Sequence, residues 1–292
     1  MSNSPSKTST LQHVCNSTLQ QLCTLYSIGE AQWMIRIIFE HLKGWSRVDL
    51  AIRANDELSE FIVDKVNSIT QRLLKHEPLQ YILGEARFFG MNLRVTPAVL
   101  IPRAETEELV DIIIDDANNR HDLSALDICT GSGCIAIALS RNLPFASVTA
   151  IDISDDALSI ASENAKATHT SIDFIKADAL NLTAPTKPGF DIIVSNPPYI
   201  AEYERAAMER NVLEYEPELA LFVPNDDPLK FYRAISLYAL SALQPGGKLY
   251  FEINPIFSNE LSLMLKTHGW NNVEILPDSH KKMRFAKAVA PI

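Results

Sequence analysis

The sequence predicts an α/β domain built on a mostly parallel sheet with helices on both faces, preceded by a small all-α domain. Three observations predict it. From Leu123 onward, apolar runs of strand length alternate with helical segments, the pattern of repeated β-α units. Across residues 11–74, apolar side chains recur at three- and four-residue spacing instead, as on the buried faces of a helical bundle. The first strand of the second region ends in Asp127-Ile128-Cys129-Thr130-Gly131-Ser132-Gly133, a glycine-bearing loop that opens a helix.

Composition narrows the class. With 292 residues and 47% hydrophobic content the chain is long enough to bury a large core without staples. Its four cysteines, Cys15, Cys23, Cys129 and Cys134, lack zinc-like spacing and are too sparse for a disulfide framework, so a reducing compartment and no metal site are expected. No apolar run approaches the roughly 20 residues of a membrane helix, and the polar start has no signal-like apolar stretch; a cytoplasmic monomer is expected. A net charge of −10 disfavours a phosphate-tracking surface and stable nucleic-acid binding, and fits a protein or small-molecule substrate.

Taken in order, residues 1–9 are Ser/Thr-rich and read as a disordered tail. Residues 10–76 form the helical domain, with one stripe through Trp33, Ile37 and His41 beside Met34, Ile38 and Leu42, and another through Ile62, Val66, Ile69 and Leu73. The pattern stops at Pro78, and residues 77–102 read as a linker with a hairpin. Residues 103–292 form the sheet domain. It starts with a helix whose first turn holds Glu105, Glu107 and Glu108, where the helix dipole favours acids. Arg103 just before it is suited to orient a carboxylate or phosphate, or serves only structure. Strands follow at 125–129, 147–151, 172–175, 190–194, 248–253, 273–276 and 285–289. Helices are expected at 133–140, at 154–167 with Ser154 as cap, from Asp227-Pro228 to about 243, and at 257–268.

In such sheets ligands bind beyond the carboxyl ends of the strands, and four features fall on that edge. Gly131 and Gly133 permit a tight turn at a helix N-terminus, and Asp152, ending the second strand, lies at the spacing of a ribose-binding acid. Gly131-x-Gly133-x-x-Ala136 also satisfies the dinucleotide pattern, so loop and acid together specify a nucleoside cofactor without saying which. Asp178, past the third strand, can accept from an adenine amine or merely cap its own turn. After the fourth strand comes Asn196-Pro197-Pro198-Tyr199. Alone it reads equally as a turn; on this edge its amide oxygen, exposed carbonyls and flat ring suit a planar NH2 group, which a methyl donor needs and a hydride carrier does not.

These segments resemble the HemK/PrmC family, S-adenosylmethionine-dependent methyltransferases that modify a glutamine side-chain amide of peptide chain release factors. The resemblance covers nearly the whole chain after the tail. It rests on Pro78-Leu79-Gln80-Tyr81-Ile82-Leu83-Gly84, Leu100-Ile101-Pro102-Arg103 with Glu105-Thr106-Glu107, Thr130-Gly131-Ser132-Gly133-Cys134-Ile135-Ala136, Asp152-Ile153-Ser154, Ser195 to Ile200, and Tyr215-Glu216-Pro217 with Ala220-Leu221. It implies a seven-stranded Rossmann-like methyltransferase sheet with the last strand antiparallel, and a helical domain that docks the substrate. It also implies that Cys129 to Gly133 surround the methionine part of S-adenosylmethionine, that Asp152 holds the ribose, and that Asp178 and Ala179 flank the adenine. Asn196 and the Pro197 carbonyl would accept from the target NH2 of a Gly-Gly-Gln loop, with Pro198 and Tyr199 packed beside it.

The Asn-Pro-Pro-Tyr motif alone is shared with adenine amino-methyltransferases of DNA or RNA, and a cofactor-binding scaffold that needs a partner subunit is a third alternative. The chain departs from the family at Cys129, where glycine is usual, at 222–227, at Glu252-Ile253-Asn254 in place of Glu-Ile-Gly, and at His280-Lys281-Lys282-Met283-Arg284, which lacks a hairpin glycine. That basic cluster reads as a solvated turn or a partner contact.

Overall fold

A computed structural model describes residues 9–117, 120–186 and 189–292. The expected tail lies outside the described residues except for Ser9, which departs from disorder: β1 (Ser9–Thr10) pairs antiparallel with β2 (Glu57–Leu58). Around this ribbon stand α1 (Leu11–Leu22), α2 (Ile28–Lys43), α3 (Arg47–Ile52), α4 (Glu60–Leu73) and α5 (Leu79–Leu83). Leu11, Val14 and Leu22 of α1, Met34, Ile38 and Phe39 of α2, and Ile62, Val66, Ile69 and Leu73 of α4 form one core. The second expected stripe is thus buried throughout. The first is rotated: α2 buries Ala31, Met34, Ile35, Ile38 and Phe39, while Trp33 stands 41% exposed, because apolar residues at both three and four positions set the buried arc. The proline that was read as a stop precedes a helix: Tyr81 N donates to the Pro78 carbonyl, and α5 ends at Gly84 in the left-handed region.

The rest of the chain holds the hairpin β3 (Glu85–Phe88) and β4 (Met91–Arg94), then α6 (Ala104–Ala117), β5 (Ser124–Ile128), α7 (Cys134–Asn142), β6 (Ser147–Asp152), α8 (Asp155–Ala167), β7 (Ile172–Lys176) and β8 (Phe190–Ser195). After β9 (Ile200–Ala201) and α9 (Arg210–Tyr215) come β10 (Phe222–Val223), α10 (Lys230–Ala242), β11 (Leu243–Glu252), α11 (Ser258–Thr267), β12 (Asn271–Pro277) and β13 (Met283–Val289). By internal contacts, the described residues up to Gly84 together with Arg210–Tyr215 make one unit, and Glu85–Glu209 with Glu216–Ile292 make the other.

The second unit contains a seven-stranded sheet in the order β12-β13-β11-β8-β5-β6-β7. Pairs from β11 to β7 are parallel, and β13 runs antiparallel between β11 and β12. Successive residues of a strand face opposite sides, so Ile192 and Val194 join a core with α6 and α7, while Ile193 joins the core of α10 and α11. The five residues expected to form the buried face of α8, Ala157, Ile160, Ala161, Asn164 and Ala165, all are buried, and Ser154 caps the helix by accepting from Ala157 N.

One helix start differs from expectation. α10 begins at Lys230, three residues past Asp227, whose carboxylate pairs bidentately with Arg233 at 2.8 and 2.9 Å and also accepts from the Leu229 backbone. The cluster at 280–284 is a turn built around buried Asp278, whose carboxylate accepts from His280 N, Lys282 N and Arg284 Nε. Those bonds favour the charged form and hold the Asp278 carboxyl below its usual range.

Candidate active site

Strand order reverses between β5 and β8, and at that switch point the loops after β5 to β8 leave a cavity of about 410 Å³. Every residue lining it belongs to the sheet unit. The loop after β5 forms one wall. Cys129 directly follows the strand at φ +63°, a left-handed conformation that costs a side-chain-bearing residue and explains why glycine would suit this position. Buried Thr130 donates to the fully buried Asp127 at 2.6 Å, and Ala136 N donates to the same oxygen. The other Asp127 oxygen has no protein partner, and burial pushes this carboxyl up to about 7. The Cys134 thiol is raised to about 12 by the same desolvation, so it is an inert buried sulfur.

The two glycines do different work. Gly131, at φ +55°, has open space where a Cβ would stand, and lines the cavity. Gly133, at φ +80°, does not line it. A Cβ there would lie 3.0 Å from that of Ala161, so this glycine serves the close approach of α7 to α8. Behind the loop, Asn164 of α8 donates to the Ser132 and Arg94 carbonyls and accepts from Arg94 N, joining loop, helix and hairpin.

Asp152 ends β6 with Oδ2 accepting from Gly131 N at 2.9 Å and Oδ1 from Ser154 N at 3.0 Å. Asp152 lines the cavity, and each oxygen, with one bond accepted, has capacity for one more, enough for two hydroxyls. Asp178 and Ala179 line the same cavity, with Asp178 also in the turn role weighed for it: its oxygens accept from Leu180 N and Asn181 Nδ2. Ile151, Leu180 and Phe231 supply apolar wall. An open glycine face, a preset two-hydroxyl acceptor and an apolar slot fit S-adenosylmethionine in its three parts.

Asn196 and Pro198 complete the lining; Pro197, the residue between them, and Tyr199, the residue after Pro198, are not part of it. Tyr199 donates through its hydroxyl to Glu252 Oε1 at 3.2 Å. Burial and this acidic neighbour raise the Tyr199 pKa, so the phenol stays protonated. Glu252, last residue of β11 and 2% exposed, receives a second bond from Thr106 Oγ1 at 2.6 Å. Thr106 in turn accepts from Asn196 Nδ2 at 3.4 Å. Burial raises the Glu252 carboxyl, opposed by the two donated bonds and the charge of Arg284. Arg103 also lines the cavity, and pairs with Glu216, whose other oxygen accepts from Ile101 N at 3.3 Å. Asn254, where the family has glycine, donates to the Tyr199 carbonyl and to Glu204 Oε1, tying down the backbone beyond the motif.

Sequence reasoning missed Thr106, Glu252, Glu216 and Asn164 as members of this site. The register offered one signal. Phe251 pairs with Ser195, so an acid ending β11 must stand beside Asn196.

The sheet order, its single antiparallel strand and this cavity define the class of S-adenosylmethionine-dependent methyltransferases. Solved structures share the fold: a methyltransferase from Pyrococcus furiosus (TM-score 0.52, 17% identity, covering 77% of this chain and all of that one) and the hMettl16 catalytic domain (TM-score 0.54, 17% identity, 80% and 82%). The family profile described as the PrmC N-terminal domain matches residues 13–84, and the methyltransferase small domain matches 106–215. The chain is 43% identical over 269 residues to the release factor glutamine methyltransferase of Bacteroides thetaiotaomicron, covering 92% of this chain and 96% of that one. To the enzyme of the same description from Flavobacterium psychrophilum it is 42% identical over 272 residues, with 92% and 95% covered. The chain belongs to the release factor glutamine methyltransferase family.

Proposed function

We propose that this chain transfers a methyl group from S-adenosylmethionine to the side-chain amide nitrogen of a glutamine in a peptide chain release factor, with Asn196 and the Pro197 carbonyl orienting that nitrogen. The observation that carries the reading is the placement of Asn196 on the same cavity as Gly131, Asp152 and Asp178. Bound S-adenosylmethionine supplies an electrophilic methyl on a sulfonium. Asp152 would hold the ribose hydroxyls, Cys129 to Ser132 of the loop would surround the methionine part, and Asp178 with Ala179 would flank the adenine.

An amide nitrogen is a poor nucleophile because its lone pair is delocalised into the carbonyl. Two fixed acceptors on its hydrogens set the nitrogen in line with the methyl and hold it there, so positioning and electrostatics do the work. Transfer would exchange the S–C bond for an N–C bond, with S-adenosylhomocysteine as the leaving group and the displaced N–H proton passing to solvent, so the chain has to orient the nitrogen and need not supply a strong base. Tyr199, protonated and fixed to Glu252, packs behind the acceptor. The helical unit exposes the large apolar side chains Trp33, Val48, Ile52 and Phe61, which are available to a protein substrate. Among the described residues no helix is long and apolar enough to cross a membrane.

The test is methyl transfer from labelled S-adenosylmethionine to release factor, to release factor with its loop glutamine replaced, and to duplex oligonucleotide. Label in the first alone is expected. Label in the oligonucleotide alone, or undiminished label after the glutamine is replaced, overturns the assignment.

A further inference from the structure

An acceptor clamp made from an asparagine has a hidden ambiguity. The two ends of an Asn amide are nearly the same size, yet only the oxygen can accept from a substrate NH2. Something must decide which end faces the cavity.

We infer that Thr106 and Glu252 are positioning residues that set the Asn196 amide with its oxygen toward the methyl acceptor; the inference rests on the assignment of Asn196 as the clamp. A threonine hydroxyl has one proton. With Glu252 ionised, that proton goes to its Oε2 at 2.6 Å, so toward Asn196 the hydroxyl can only accept. What faces it across 3.4 Å must therefore be the Asn196 NH2, and the oxygen is turned the other way. The orientation follows from the count of protons, because an amide oxygen facing a hydroxyl already committed to a carboxylate would set two acceptors together.

The fold places all three. Thr106 sits in the first turn of α6, 2% exposed; Asn196 directly follows β8; Glu252 ends the neighbouring parallel strand, one step beyond the Phe251–Ser195 register pair. Tyr232 donates to the Glu252 carbonyl at 3.1 Å and fixes its backbone. The same carboxylate accepts from Tyr199, so one buried acid orients both polar ends of the Asn-Pro-Pro-Tyr segment. This explains a carboxylate held at 2% exposure beside the cavity without lining it.

The experiment compares Thr106→Val, Thr106→Ser, Glu252→Gln, Asn196→Ala and the double variant Thr106→Val/Asn196→Ala. Readouts are kcat, KM for release factor, cofactor Kd and thermal midpoint. Valine keeps the shape of threonine and removes the acceptor; serine keeps the acceptor. Thr106→Val is expected to lower kcat about tenfold or more with cofactor Kd within about twofold, and Thr106→Ser to stay within about threefold of wild type. Adding Thr106→Val to Asn196→Ala should cost less than about twofold further, because the residue acts only through Asn196. Glu252→Gln, which can still accept from Thr106, is expected between the two Thr106 variants and serves if Thr106→Val does not fold. Wild-type kcat in Thr106→Val beside an inactive Asn196→Ala overturns this inference and leaves the clamp standing. Equal loss in Val and Ser, or losses that multiply in the double variant, overturns it as well. Full activity in Asn196→Ala overturns the clamp and the inference together.

Discussion

The two halves of the cavity are held in different ways. On the proposed cofactor side, polar groups are fixed mostly by nearby backbone: Ser154 N reaches Asp152 two residues away, Leu180 N reaches Asp178 two residues away, and Gly131 N meets Asp152 on the adjacent strand. On the acceptor side, side chains hold side chains across long stretches of sequence: 90 residues between Asn196 and Thr106, 146 between Thr106 and Glu252, and 53 between Tyr199 and Glu252. Backbone-held groups are in place whenever the strand ends and turns form. A side-chain relay needs α6, β8 and β11 assembled, and one substitution can undo it without disturbing the cofactor side.

The largest expected effect is therefore Asn196→Ala. As the proposed clamp, Asn196 acts on the transferring centre, and removing such a group typically costs about 10²–10³ in kcat. Cofactor Kd, read by calorimetry, should stay near wild type. A parallel loss of cofactor affinity would mean that the two halves are one unit.

Next is Asp127→Asn on the cofactor side, where the cost of burial shows as pH dependence. The Asp127 carboxyl rises from 3.8 to about 7 on folding, so the folded chain holds its proton more tightly. The stability this contributes is present below about 3.8 and lost as pH climbs to about 7, with a slope of at most about 1.4 kcal/mol per pH unit. Asparagine can still accept from Thr130 and does not ionise. Thermal midpoints of Asp127→Asn should thus exceed wild type at pH 8 and converge near pH 4. Parallel profiles for the two proteins would show that Asp127 is charged in both states.

Asp152→Asn should show the reverse of the Asn196 pattern. Both carboxylate oxygens accept from backbone N–H groups, and an amide offers only one oxygen. One N–H loses its partner, and cofactor affinity should fall about tenfold. At saturating cofactor, kcat should return to near wild type. A kcat that stays low would place Asp152 in the transfer step itself.

The same division decides what the sequence could disclose. Strands β5 to β8 were legible because each is a short apolar run with a side-chain period of two, and the cofactor loop because its glycines, cap and acid are local. The seven-stranded order with one antiparallel strand came from resemblance, and the sheet bears it out. Thr106, Glu252 and Glu216 were silent because an isolated Thr or Glu carries no mark of a partner more than 100 residues away. Local signals also misplaced a boundary: Asp227 looked like the residue just before the helix, and α10 starts at Lys230. Pro78 looked like a terminator, yet it precedes α5.

Cys129 is the place where a purely local reading was sharpened to a measurable quantity, and it carries the smallest expected effect. At φ +63° any side chain is disfavoured by about 1–2 kcal/mol relative to glycine. Against this, glycine loses about 0.5–1 kcal/mol more backbone entropy on folding and gives up the contacts of the thiol with the α10 and α11 core. Cys129→Gly should then gain roughly 0.5 kcal/mol, a rise of about 1–2 °C in thermal midpoint. Cys129→Ala loses the sulfur and keeps the strained backbone, so it should fall below wild type. The difference between the two variants isolates the backbone contribution from the packing. A Cys129→Gly protein less stable than Cys129→Ala would show that this turn is not strained, and that the cofactor side is held by side-chain packing after all.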